Sequence, residues 1–108
     1  YCLFCYSIDT FNKISNKLNE LPFTKQDARD FNRFFMSGAT NVELDKQGRI
    51  NISPVLINYA HLIKDCVIIG TGDRIEIWSC DNWESFFNST KDIMSDIAEN
   101  LFNDSVNL

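Results

Sequence analysis

Ala39-Thr40-Asn41-Val42-Glu43-Leu44-Asp45-Lys46-Gln47-Gly48-Arg49-Ile50-Asn51-Ile52-Ser53 is the stretch on which the reading of this chain turns. Val42 and Leu44 before its centre, and Ile50 and Ile52 after it, recur at period two, the signature of strands with one apolar face. Glu43, Asp45, Arg49, Asn51 and Ser53 then face the opposite way. Between the two predicted strands, Asp45 suits the first position of a turn because its carboxylate can accept from backbone N–H groups two residues on. Gly48 supplies the left-handed conformation that closes it. Asp45 and Gly48 are thus turn-forming, and Lys46, Gln47 and Arg49 stand at the tip with no structural duty. Their donors suit a partner rich in acceptors.

Working outward, the 108 residues make about one domain, with the apolar and charged content of a soluble globular protein. No apolar run is long enough for a membrane span, and the start Tyr1-Cys2-Leu3-Phe4-Cys5-Tyr6 lacks the basic flank of a signal peptide, so a cytoplasmic protein is expected. The first residue is Tyr rather than Met, which suggests a chain that begins inside a longer product. The net charge of −5 is unevenly placed: residues 81–108 hold six carboxylates against Lys91, whereas residues 1–80 balance at nine of each sign. The acidic tail reads as the solvated face of a helix.

N-terminal to the hairpin, residues 2–6 read as a strand. Ser7 offers a helix N-cap with Asp9 in the first turn, and Phe11, Ile14, Leu18 and Leu21 form an apolar stripe that Pro22 ends. Thr24 is placed to cap a second helix, with Asp27 three residues on, an aromatic face of Phe31, Phe34 and Phe35, and Gly38 as its stop. Arg29 and Arg33 lie one turn apart on that helix. They can contact phosphates, or pair with the neighbouring Asp27 and Asp30.

C-terminal to it, Pro54 opens a short helix through Ala60 with Leu56 and Tyr59 inward. Cys66–Ile69 and Arg74–Ser79 form a second hairpin across Gly70-Thr71-Gly72-Asp73. A phosphate-cradling loop would lead into a helix, so this glycine-rich turn is not read as a nucleotide site. Trp83, Phe86, Phe87, Thr90, Ile93, Met94, Ile97 and Leu101 mark one C-terminal amphipathic helix, followed by the polar stretch 103–108.

Chemistry-bearing clusters are few. Cys2 and Cys5 form a C-x-x-C, but residues three apart on a strand point to opposite faces, and neither a second pair nor a histidine pair completes a metal site. Reduced structural thiols are expected here and at Cys66 and Cys80; a redox or zinc role for Cys2 and Cys5 is the competing reading. His61 is a lone histidine with no carboxylate or serine at a diagnostic spacing. The expectation is a non-enzyme without metal or cofactor.

The chain also resembles itself at an offset of 72 residues. Tyr6-Ser7-Ile8-Asp9-Thr10-Phe11 aligns with Trp78-Ser79-Cys80-Asp81-Asn82-Trp83, and Leu3 and Cys5 align with Ile75 and Ile77. In both places a strand runs into a capped amphipathic helix. The counterpart of Arg49 would fall before residue 1, so a second turn of the same kind is expected upstream.

The runs Lys25-Gln26-Asp27-Ala28-Arg29-Asp30-Phe31, Arg33-Phe34-Phe35-Met36-Ser37-Gly38-Ala39, Glu43-Leu44-Asp45-Lys46-Gln47-Gly48-Arg49-Ile50-Asn51-Ile52 and Gly72-Asp73-Arg74-Ile75-Glu76-Ile77-Trp78-Ser79 closely resemble the bacterial MraZ family. That resemblance implies a mainly β fold with flanking α-helices, an AbrB/MraZ-like double-split β-barrel built from tandem SpoVT-AbrB-type units. Residues 1–22 would be the last strand and helix of a first unit, 23–38 a connecting helix, and 39–108 the second unit with its C-terminal helix. It further implies a homo-oligomeric ring, nucleoid association, and sequence-specific binding of double-stranded DNA at direct repeats in the promoter of the division and cell-wall gene cluster. Asp45, Gly48 and Arg49 match the family's Asp-x-x-Gly-Arg turn, and Lys46 and Gln47 its usual second-unit form. Departures are Ser53 where proline is usual, Ile57 where arginine is common, and His61 in place of a common glycine. An AbrB-class antitoxin or protein-interaction module is the alternative function. In the DNA-binding reading Arg49 engages a phosphate or a guanine edge, Lys46 a phosphate and Gln47 an adenine.

Overall fold

Leu3–Cys5 forms β1, and Ser7 then ends the extended backbone (φ −64°, ψ 156°) and caps the following helix, accepting a 3.2 Å bond from the Thr10 amide. The computed structural model of the protein describes residues 1–103. Helix α1 runs Ile8–Asn19, α2 Gln26–Ser37 and α3 Pro54–Ala60; β2 (Cys66–Gly70) and β3 (Ile75–Ser79) form a hairpin, and α4 (Cys80–Thr90) leads through a 3-10 turn, Lys91–Ile93, into α5 (Met94–Asn103). The rest of the polar stretch expected after this last helix, 104–108 with Asp104, lies outside the described residues.

The strands make one antiparallel sheet in the order β1-β3-β2, with Leu3, Phe4 and Cys5 opposite Ile77, Glu76 and Ile75. The β2–β3 hairpin expected across Gly70-Thr71-Gly72-Asp73 is present, closed by a 2.9 Å bond from the Thr71 amide to the Arg74 carbonyl, with Gly72 at φ 97°. Ser79 repeats what Ser7 does: φ −66°, ψ 151°, and a 3.0 Å bond from the Asn82 amide to its hydroxyl. Pro54 occupies the first turn of α3 as expected.

Three expectations need correction. The fold is not mainly β and is not a double-split barrel: 53% of the described residues are helical and the sheet has three short strands. The strands expected on either side of Asp45 and Arg49 are extended arms without a ladder, because residues 39–49 are exposed throughout and only Ile50, Ile52 and Ser53 beyond the turn are half-buried. A lone two-stranded ribbon without a buried face gains too little to order its backbone. The second correction concerns α2, whose cap is Lys25 rather than Thr24 and makes no side-chain cap bond. Thirdly, the C-terminal helix is interrupted at Lys91–Ile93. Ser89 bonds back to the Phe86 carbonyl at 3.0 Å, and the Asn88-Ser89-Thr90 run that precedes the break is poor in helix formers.

Packing is local. Trp78 meets Trp83 and Phe86 of α4 at ring separations of 5.5 and 5.4 Å, and Phe35 stacks between Phe11 and Phe31 at 6.0 and 6.2 Å. Asn82 ties three segments together by donating to the carbonyls of Tyr1 and Ala60 at 3.1 and 3.4 Å. Only Ala60 and Ile77 are buried hydrophobics among the described residues. The accessible surface is 9007 Å², against about 6,200 Å² for a compact monomer of this mass. The radius of gyration, 17.0 Å, compares with about 13 Å expected for such a length. A large apolar area therefore faces solvent in the single chain.

Candidate nucleic-acid interface

The turn at the end of the extended arm is closed by four hydrogen bonds around one residue. The Gly48 amide donates to the Asp45 carbonyl at 3.0 Å, and the Asp45 amide to the Arg49 carbonyl at 2.8 Å. With Gly48 at φ 76°, this is a three-residue loop of the type I plus bulge kind. One carboxylate oxygen of Asp45, Oδ1, accepts from the amides of Gln47 (2.9 Å) and Arg49 (2.8 Å), which fixes the loop from inside. A Cβ on Gly48 would meet nothing within 4 Å, so glycine is needed there for its backbone conformation alone.

The other oxygen, Oδ2, accepts from Arg49 Nε at 2.9 Å. The Arg49 amide foremost, with its guanidinium and the Gln47 amide, holds the Asp45 carboxyl below the usual carboxylate range. The Arg49 side chain is 74% exposed, and Lys46 and Gln47 are exposed beside it. Cation and amide donors thus project from a tip whose backbone is determined. Reading Asp45 as a turn residue alone missed its second contact. The signal was available in the opposite charges four residues apart, although that spacing is normally weighed only on helices.

Arg29 and Arg33 are placed elsewhere, on α2. Arg29 donates to the Phe23 carbonyl at 2.8 Å and to Gln26 Oε1 at 2.6 Å, clamping the segment before the helix. Arg33 reaches Asp30 at 3.4 Å, an exposed pair. Both are engaged within their own helix region, whereas the Arg49 side chain is engaged, among the described residues, through Nε alone.

The sheet holds the strongest charge cluster, which sequence reading passed over. Glu76 is buried on β3, with Oε2 accepting from Arg74 Nε and Nη2 (3.0 and 2.8 Å) and Oε1 from Trp78 Nε1 (3.0 Å). Arg74 lies 4.5 Å over the Phe4 ring. Every polar atom in this cluster is paired, which makes it a structural network and not a site. The four cysteines are unbridged, and burial pushes the Cys2 thiol up from its ordinary value, away from the thiolate that redox chemistry requires. Among the described residues no group of three or more His, Cys, Asp and Glu side chains converges as metal ligands would. No described helix is long and apolar enough to cross a membrane.

These features define a small helical protein with a three-stranded sheet and a basic tip carried on an extended arm. The sequence model of the family described as "MraZ protein, putative antitoxin-like" matches residues 35–105, well over half of the chain. The chain belongs to the MraZ family. The match takes in the whole arm, the second hairpin and α4; the Lys25–Phe31 run, which also carried the resemblance, lies outside it.

Proposed function

We propose that this protein is a sequence-specific DNA-binding transcriptional regulator acting at the promoter of the division and cell-wall gene cluster, and residing with the nucleoid. The observation that carries this reading is the tip itself. Lys46, Gln47 and Arg49 stand together on a loop whose shape Asp45 and Gly48 determine, so their donors meet duplex DNA with little ordering cost. Arg49 engages a guanine edge or a phosphate, Lys46 a phosphate and Gln47 an adenine edge. Arg29 and Arg33 supply further phosphate contacts by exchanging their present partners.

One tip offers few contacts, and the net charge of −5 opposes association with a polyanion. A homo-oligomer, in its fullest form a ring, answers the first. It covers apolar surface that the single chain leaves open, and it presents several tips to direct repeats in the DNA, so that avidity multiplies a modest contact. The test is binding of the full chain to a labelled duplex of the promoter region upstream of its own gene, across a salt series. Affinity falls steeply with salt, and Arg49→Ala lowers it at least tenfold and flattens the salt slope by about one per tip that contacts a phosphate. Unchanged affinity of Arg49→Ala would remove the tip from the role of reader.

The antitoxin-like wording of the family description and the open apolar surface favour a second reading, a module that holds a protein partner. Co-purification of a toxin whose association ignores salt is the result that would install it.

A further inference from the structure

A carboxylate at a DNA-facing tip is unfavourable unless it does something a neutral residue cannot. Holding the loop does not require the charge: asparagine Oδ1 accepts the same two backbone bonds, and asparagine is as good a turn residue as aspartate. What only the carboxylate supplies is Oδ2, the oxygen that accepts from Arg49 Nε at 2.9 Å. This exposed pair adds little to folding. Its effect is on the direction of the guanidinium.

We propose that Asp45 is a positioning residue that fixes Arg49 for end-on, bidentate reading of a guanine edge through Nη1 and Nη2. The inference rests on the DNA-binding reading above and deepens it. A guanidinium can meet guanine O6 and N7 from its side, through Nε and one Nη, or from its end, through both Nη groups. With Nε already donating to Asp45 Oδ2, the side-on mode is closed. Neither Nη group has a hydrogen-bond partner among the described residues, so the end-on pair is presented to the ligand. Oδ1 anchors the loop backbone while Oδ2 anchors the side chain, so loop and reader move as one body. The specificity of the tip then lies in Arg49 and Asp45 together.

Asp45→Asn in the full chain separates this role from plain electrostatics, because the two predict opposite signs. Removing a negative charge strengthens binding to any duplex. Loss of aim weakens binding to the target alone. Measured by fluorescence anisotropy, the affinity of Asp45→Asn for the promoter duplex falls about fivefold or more, while that for a shuffled duplex of equal composition holds or rises. In the free protein the Arg49 Nε–H resonance loses its protection from exchange, whereas the Gln47 amide keeps its protection through the bond to Oδ1. Target and shuffled affinities rising together, or neither changing, would overturn the proposal. The two readings fail separately. If Arg49→Ala leaves promoter binding intact, the tip is not the reader and both fall; if Arg49→Ala abolishes binding and Asp45→Asn keeps the parent's preference, only the aiming role falls.

Discussion

Two ribbons in this chain carry the same local signals and end differently. Residues 39–53 and 66–79 both read as two short apolar-faced strands joined by a turn, and both turn on a glycine with positive φ, Gly48 at 76° and Gly72 at 97°. The second becomes a ladder of five paired residues on each side; the first keeps its turn and loses its strands. The difference lies in what covers them. The second ribbon has Trp83 and Phe86 of α4 against Trp78, and β1 along its free edge. The first is exposed throughout residues 39–49, with only Ile50, Ile52 and Ser53 half-buried beyond the turn. Turn chemistry is enough to make a turn, but a ladder needs a buried face as well.

The largest effect that should sharpen this contrast is Trp78→Ala. It removes the ring on which Trp83 and Phe86 pack and deprives buried Glu76 of a donor, so urea unfolding should show a loss of about 3 kcal/mol or more. Leu44→Ala, equally apolar but on the open ribbon, should stay within about 0.5 kcal/mol in the same measurement. Equal losses at both positions would mean that the first ribbon is already covered.

Between the ribbons, His61 closes α3 at φ 57°, a left-handed conformation that favours glycine. His61→Gly should therefore raise stability by up to about 1 kcal/mol, read as a higher unfolding midpoint. The smallest effect is on the turns. Asp45 has its folded pKa below its unfolded value, so its contribution is complete above the unfolded pKa and is lost as pH falls through the folded one. The Gln47 and Arg49 amide resonances should move at a pH below the ordinary aspartate range. The Thr71 amide, whose partner is a backbone carbonyl, should stay fixed until the chain unfolds.

Much of this was legible in the residues. Ser7 and Ser79 cap helices at the two matching strand-to-helix junctions, Pro54 opens α3, and the second hairpin forms across its Gly70-Thr71-Gly72-Asp73 turn. Asp45, Gly48 and Arg49 carried the family assignment that the match to residues 35–105 now shows. What failed shares one cause: a periodic pattern names the face an element would bury but not whether anything arrives to cover it. The pattern at Val42, Leu44, Ile50 and Ile52 gave no hint of the empty space beside it, and the apolar stripe from Trp83 to Leu101 hid a break set by backbone-bonding Ser89. Glu76 was invisible for the converse reason, since a charge in an alternating strand reads as solvent-facing until its partners are located.

The pairing of β1 with β3 has a geometric consequence. Phe4 lies opposite Glu76, and at the 72-residue offset between the two strand-to-helix motifs these residues are each other's counterpart. The motifs thus meet about a local two-fold axis that passes through this pair. Had two identical chains met on the same axis, each residue there would face its own copy: two glutamates would repel, and two phenylalanines would leave Arg74 without its carboxylate. Carrying both motifs on one polypeptide lifts that restriction. The symmetry is broken where it would cost most, and an aromatic ring, a guanidinium, a carboxylate and an indole occupy a position that identical partners could not fill together.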